Sequence, residues 1–449
     1  DLFVGTKTHL LTHVKGKKKT IPVHFTLRDD GFGYLTSDAE LVHKKQNDHD
    51  ALAYHLNSAG RPHDDLWLTT IQPGLVCHEL KTAYEYGIKQ LWVLNVTNPK
   101  SAIIQLSLAM DLAWNPNAVK RNAIDRYLDN ILLQIAGQKA VYRLRSVMQQ
   151  FYHLTAIRRP EWMGWNRTAG KSRSVQNTDF NANAFGNELE TYLSDYNTLR
   201  VAVQNVERDI PTALRDAFFA AIKYPVLAAA AMATKQLQAQ EARELARPQS
   251  FHHDSEALTS AANSIKAYRE IRQLTAYYNN KLAAGKWKGL MNMAPHNLPV
   301  FADPYLPDRL SEQEIKQYAT TDTPEPRVNL DKCTAKNAYD YASSTTDVRP
   351  ISMLGHSMKA VLIPQNGSLT YSFYAERSGD AVLRIALIPT PTDTKHTRLL
   401  AISIDDATQM TVPVKTDYRS EAWENNVLQG QVRLNLPLNI TQGPHTLTL

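Results

Sequence analysis

Gln90 to Asn115 reads QLWVLNVTNPKSAIIQLSLAMDLAWN. Its first seven residues are almost continuously apolar and rich in branched and aromatic side chains, which suits a strand covered on both faces. A turn of threonine, asparagine and proline follows. The remainder places apolar residues at three- and four-residue spacing and predicts a helix. Strand then helix is one half of a parallel repeat, and the flanking sequence supplies more of them. VHFTL (Val23 to Leu27) and ALAYHL (Ala51 to Leu56) read as further buried strands, and PGLVCHELKTAYEYG opens on Pro73 and closes on Gly87, as a helix does. In such folds the loops that follow the strand C-termini carry the chemistry.

Working outward, the rhythm changes twice. Residues 1 to 116 alternate strand and helix, whereas residues 117 to 290 are helical throughout and predict a bundle, broken at RRPEWMGWNRTAGKSRS and at Pro225. Residues 291 to 350 are proline-rich and read as a connector. From Ile351 to Leu449 the period becomes two. SLTYSFYA, AVLRIALIP, LLAISID and QVRLNLPL predict the strands of a β-sandwich. The predicted class is therefore multidomain, α/β then α then β.

The 449 residues, 43% hydrophobic and 21% charged, allow roughly two to four globular domains. A formal charge of +6 favours an anionic ligand only weakly, and the one dense basic run, KGKKK (Lys15 to Lys19), lacks the interleaved aromatics of a nucleic-acid surface. Cys77 and Cys333 admit one long-range disulfide but no cysteine metal site. No segment reaches membrane-spanning length, the most apolar being VLAAAAMA (Val226 to Ala233). No metal-ligand spacing, phosphate-binding glycine loop or Gly-x-Ser-x-Gly elbow is present. Neither a nucleic-acid nor a membrane partner is expected, and no cofactor.

Candidate site residues gather behind the predicted strands. Asp29 and Asp30 follow the first directly, in TLRDDGFGYL. They serve either in acid–base and hydroxyl recognition, or as an ordinary Asp-Gly turn with Asp30 capping. Strand alternation lets at most one of the two enter a pocket. Tyr54 and His55 end the second strand, and Arg61 and His63 lie in the loop GRPHDD beyond it. Arg61 offers a planar two-pronged donor for a carboxylate ligand, or pairs with Asp64 or Asp65 of its own loop. Asn95 ends the third strand. Glu79 and Asp111 fall inside helices and read as structural. Trp162, Trp165, Arg167 and His296 lie in breaks of the bundle, where packing and cleft lining are both open to them. His356, Trp423 and His445 read as core or interdomain contacts.

Several of these segments together resemble glycoside hydrolase family 115, the xylan α-glucuronidases. GRPHDDLWLTT is similar to the family's G-R-P-H-D-Y-L-W-L pattern, QLWVLNVTNPK to W-I-V-N-V-G-D-x-K-P, and LAMDLAWNP to F-L-D-M-A-W-N-P. RRPEWMGWNRT, RDAFFAAIKYPV, GKWKGLMNMAPHNLPVF, MLGHSMKAV and GPHTLTL resemble further blocks, in the family's order. The resemblance implies that residues 1 to 116 are the C-terminal half of a (β/α)₈ barrel bearing the active site, with an N-terminal part preceding Asp1. It also implies Asp29 and Asp30 as catalytic carboxyls, since an Asp-Asp pair occupies this place in the family.

The implied activity is removal of (4-O-methyl)glucuronic acid from xylan with inversion, by carboxyls roughly 6.5–9.5 Å apart. Arg61 would then hold the uronate, with Tyr54, His55, His63 and Asn95 lining the cleft. An acidic polysaccharide partner, a homodimer through the sandwich, and a secreted or periplasmic setting are implied too. The chain departs from the family at five places. Gly31 replaces an asparagine, Thr97-Asn98 a Gly-Asp, Asp65 an aromatic residue, and Asn57 to Ala59 further aromatic residues, while an upstream Tyr-x-Glu has no counterpart near Thr6 to Thr8. These departures motivate an alternative, a catalytically impaired homologue that binds acidic glycans.

Overall fold

A computed structural model describes residues 2–4, 23–35, 51–57, 67–165, 174–182, 186–247, 254–317, 333–345, 348–390, 398–405, 407, 409–417 and 420–449. The N-terminal region is a four-stranded sheet in the order β1 (Leu2–Val4), β2 (Val23–Arg28), β3 (Ala51–Asn57), β4 (Leu91–Val96). Every pairing in it is parallel. The strands run apolar because helices cover them. α1 (Pro73–Glu85) buries Leu75, Val76, Leu80 and Ala83, and α2 (Ile103–Trp114) buries Ile104, Leu108 and Leu112. Pro73 opens α1 where its missing N–H costs nothing, and Gly87 just past its end has φ +96°.

One expectation needs correcting. QLWVLNV reads as a strand buried on both faces, yet all six residues of β4 are half-buried. β4 is the edge of the described sheet, with β3 as its one neighbour there, so its apolar side chains are covered from one side only.

Helices then dominate: α3 (Ile124–Ala136), α4 (Val141–Ile157), α5 (Glu188–Val206), α6 (Arg215–Phe218), α7 (Tyr224–Leu245) and α8 (Asp254–Asn280). The expected break at Pro225 is absent. A π-helical turn, Phe219–Lys223, joins α6 to α7 and leaves Pro225 in the first turn of α7, where no N–H is needed. The run Thr212–Leu245 is long and apolar enough to cross a membrane, and 83% of its most apolar window is buried against the rest of the chain.

After α9 (Glu312–Gln317) the chain becomes antiparallel: β5 (Ser343–Ser344), β6 (Arg349–Ser352), β7 (Lys359–Leu362), β8 (Leu369–Ala375), β9 (Gly379–Leu387), β10 (Arg398–Ile404) and β11 (Met410–Val414), then α10 (Glu421–Gln429), β12 (Val432–Ile440) and β13 (Gly443–Thr448). Five of these strands form one sheet, β11-β10-β13-β8-β5, and β12 pairs β9 as β6 pairs β7. The four strands predicted by two-residue alternation are β8, β9, β10 and β12. Cys77, buried, and Cys333, exposed, are both free thiols, so the disulfide the sequence admits is not formed.

The C-terminal region is fastened to the parallel sheet at close range. Gln72, which precedes α1, accepts from the Gly355 N–H at 2.8 Å and donates to the Gly355 carbonyl at 3.0 Å. The Gly74 N–H donates to the Met353 carbonyl at 3.1 Å. A Cβ on Gly74 would stand 2.5 Å from the carbonyl oxygens of Ser352 and Met353, so only glycine fits this seam. Trp423 of α10, fully buried, meets the Tyr34 ring edge-on with centroids 5.8 Å apart. That contact ties the C-terminal region to the turn that carries Asp29 and Asp30.

Candidate active site

The turn Asp29 to Leu35 leaves the C-terminal end of β2, as sites in parallel folds do. Gly33 has φ +100°, and a Cβ there would lie 2.4 Å from Ile71 Cδ1, so the turn closes this tightly only with glycine. Asp30 holds it together. One of its carboxylate oxygens accepts from the N–H groups of Phe32 at 2.8 Å and Tyr34 at 3.1 Å, while the other, Oδ2, is buried without a hydrogen bond. Burial pushes the Asp30 carboxyl up to about 7, with the neighbouring Asp29 charge adding to the rise. The two amide bonds and the Arg159 guanidinium oppose that rise.

Asp29 faces the other way. Its Oδ2 accepts from Gly31 N–H at 3.2 Å, and its Oδ1 lies 2.6 Å from His55 Nδ1 and 3.3 Å from His55 N. The Asp29 side chain is fully buried, whereas that of His55 keeps 27% of its surface. Hydrogen bonding to Asp29 raises the His55 pKa above its ordinary value, against the effect of burial. A bulge in the β3–β4 pairing falls between His55 and Asn57. Such bulges re-aim side chains at sheet rims.

The register places His55 opposite Asn95, and Arg28 opposite Ala53. Cross-strand partners share a face, and so do residues two apart on one strand. Arg28, His55 and Asn95 therefore line one face, Arg28 exposed and the other two half-buried. Tyr54, expected beside His55 in the cleft, points to the opposite face. It is fully buried, and its hydroxyl donates to the Gly33 carbonyl at 2.8 Å, closing the Asp30 turn from behind. Strand alternation separates the two neighbours. Arg61, His63, Asp64 and Asp65 lie outside the described residues, as do Arg167 and the KGKKK run.

Polar residues from elsewhere support this arrangement. Glu79 of α1 accepts from Leu35 N–H at 3.2 Å. Arg159 donates to the Phe32 carbonyl at 3.0 Å and lies 4.5 Å over the Trp162 ring, which in turn meets Phe32 edge-on. Glu161, fully buried, accepts from Leu68 N–H at 2.9 Å and from Trp67 N–H at 3.3 Å, just past the GRPHDD loop. Trp162 is thus packing rather than cleft lining. Sequence reasoning passes over Arg28, Arg159 and Glu161. Only for Arg28 is there a signal, its place one residue before the carboxyl pair at a strand end.

The glycosyl hydrolase family 115 model matches residues 13–162, and the model of the family's C-terminal domain matches residues 340–449. The chain belongs to glycoside hydrolase family 115. Among solved structures it is similar to one described as a novel family 115 4-O-methyl-α-glucuronidase with specificity for decorated arabinogalactans. That likeness has a TM-score of 0.76 at 29% identity and covers 98% of this chain. It covers 54% of the other chain, so the present chain spans about half the length of this relative. No curated protein sequence matches the chain.

Proposed function

We propose that this family 115 chain carries half of the active-site architecture of an α-glucuronidase, which hydrolyses (4-O-methyl)glucuronic acid side chains from xylan with inversion. The observation that carries the reading is the likeness, over 98% of the chain, to a structure described as a 4-O-methyl-α-glucuronidase. Water attacks the anomeric carbon as the bond to the leaving sugar oxygen breaks, one carboxyl giving that oxygen a proton and a base taking one from the water. Asp30, held near half-protonation at pH 7, is in the form an acid requires, and Asp29 holds His55 Nδ1 at 2.6 Å. In this reading His55 and Asn95 line the sugar-facing rim and Tyr54 backs it, while the sugar-binding roles expected of Arg61 and His63 fall outside the described residues. No cofactor is needed for this chemistry.

The finer architecture belongs to the same proposal. The four parallel strands form the second half of a (β/α)₈ barrel, the antiparallel strands a β-sandwich that serves as a dimer contact, and the natural protein is secreted or periplasmic. The test is chromatography of uronic acid released from glucuronoxylan and from decorated arabinogalactan, with NMR of the first-formed anomer. Release of an inverted product is expected, and no release from either polymer would contradict the proposal.

One observation favours a second reading. Neither Asp29 nor Asp30 is solvent-exposed, which suits a catalytically impaired homologue that binds acidic glycans. Calorimetry showing tight glucuronoxylan binding without turnover would select it.

A further inference from the structure

We propose that the His55 imidazolium, positioned by Asp29, is the group that grips the carboxylate of the acidic sugar. The inference rests on the acidic-glycan reading above and names how the acid is recognised. Three observations carry it. First, the Asp29 carboxylate sits behind the ring and takes Nδ1 at 2.6 Å, leaving Nε2 without a hydrogen-bond partner among the described residues. Secondly, the bulge beside His55 re-aims this part of β3 at the C-terminal rim of a parallel sheet, where ligands of such folds bind. Thirdly, the face that His55 shares carries donors and no acid among the described residues. Arg28 of β2 and Asn95 of β4 are its companions there, while both nearby carboxylates are turned inward.

A half-exposed imidazolium backed by a buried carboxyl group, with a guanidinium and an amide on the same face, suits a carboxylate ligand better than a neutral hydroxyl. The charged groups acting on the ring are Asp29 and Asp30, which favour its protonated form, and Arg28, which opposes it. β4, packed against it, contributes no ionisable side chain (LWVLNV). The direction of the pH effect follows. Below the raised pKa the ring is a cation and holds a uronate. As pH rises through that value the proton leaves, and affinity falls.

Isothermal titration of the chain with D-glucuronate and with D-glucose tests this, from about pH 5 to pH 9, alongside NMR titration of the His55 ring. Affinity for glucuronate is expected to fall about tenfold as His55 deprotonates, as loss of one charge-assisted hydrogen bond implies. Affinity for glucose is expected to stay flat. His55→Gln should remove the pH-dependent part of glucuronate binding. Asp29→Asn should move both the His55 titration and the fall in affinity to lower pH by the same amount, a shift a purely structural role would not produce. If His55→Gln binds glucuronate with the wild-type pH profile, the inference is overturned, even where the chain still releases uronic acid from polymer. Absence of glucuronate binding at every pH would overturn it as well. Release of uronic acid that fails in the wild type, with this pH-dependent binding intact, would leave the inference standing and remove only the hydrolase reading.

Discussion

Two Asp–His pairs lie in different sheets of this molecule, and they are built inside out with respect to each other. In the parallel sheet the carboxylate of Asp29 is fully buried and the His55 ring keeps 27% of its surface. In the C-terminal sheet the His445 ring keeps only 8%, and the Asp405 carboxylate keeps 49%. Both nitrogens of His445 are engaged, Nδ1 with Asp405 at 2.8 Å and Nε2 with the Thr441 carbonyl at 2.7 Å. Among the described residues His55 engages only Nδ1. A histidine that clasps two segments spends its whole hydrogen-bonding capacity on the protein, whereas one that meets a ligand keeps part of it back. The same residue pair thus serves as a fastener in the C-terminal sheet and as a presented group at the parallel rim.

The regions are joined through Trp423, so the strongest attempt to break the contrast is Trp423→Ala. Removing a fully buried tryptophan should cost about 3–5 kcal/mol in denaturant unfolding. Because the ring packs on Tyr34, the loss should also disturb the Asp30 turn and shift the His55 NMR signal. A change confined to the C-terminal sheet would show the two regions to be independent.

Asp30→Asn comes next. With a folded pKa of about 7 against an ordinary 3.8, Asp30 binds its proton more tightly in the folded state. Its contribution is fully present below pH 3.8 and is lost as pH rises through about 7. The asparagine variant should therefore gain up to about 4 kcal/mol over wild type at pH 8, and nothing at pH 4. Chemical unfolding at the two pH values reads this. Equal differences at both would place Asp30 in a wetter setting than its burial shows.

Gln72→Ala should cost about 1–3 kcal/mol, because it leaves the Gly355 N–H and carbonyl without their partners in the seam. Thermal unfolding of the variant checks it, and an unchanged midpoint would mean the seam closes without this pair. The smallest effect sharpens the contrast most. Asp405→Asn should lower the His445 pKa toward its ordinary value, since the bond to Asp405 is what raises it, and leave the His55 titration where it was. NMR titration of both rings reads the two at once.

The architecture was legible where local pattern and burial agree. Continuous apolar runs marked β2, β3 and β4, and Pro73 and Gly87 bracketed α1, because strand and helix periods are written in single segments. Burial of β4 was misjudged, since its sequence cannot say that it lies at the edge of the described sheet. Pro225 read as a break because a π turn just ahead of it leaves no periodic signature. α10 was missed, although Ser420 caps it by accepting from Trp423 N–H and Gly430 ends it at φ +66°. At the site, Asp29, Asp30, His55 and Asn95 could be named from strand ends. Their division of labour could not, because which oxygen meets Phe32 N–H and which meets His55 is settled only by the turn around Gly33. Arg159 and Trp423 reach that turn from well over a hundred residues away in sequence, Glu161 holds the Trp67 and Leu68 amides from outside their segment, and no local pattern announces them.

The central claim, that an acidic sugar is held at the parallel rim by His55, is tested most directly by following both histidine rings while D-glucuronate is added below the His55 pKa. The account predicts a saturable shift of the His55 Nε2 signal, with movement of the Asn95 side-chain amide and none at His445. A shift at His445, or at neither ring while glucuronate binds, would contradict it.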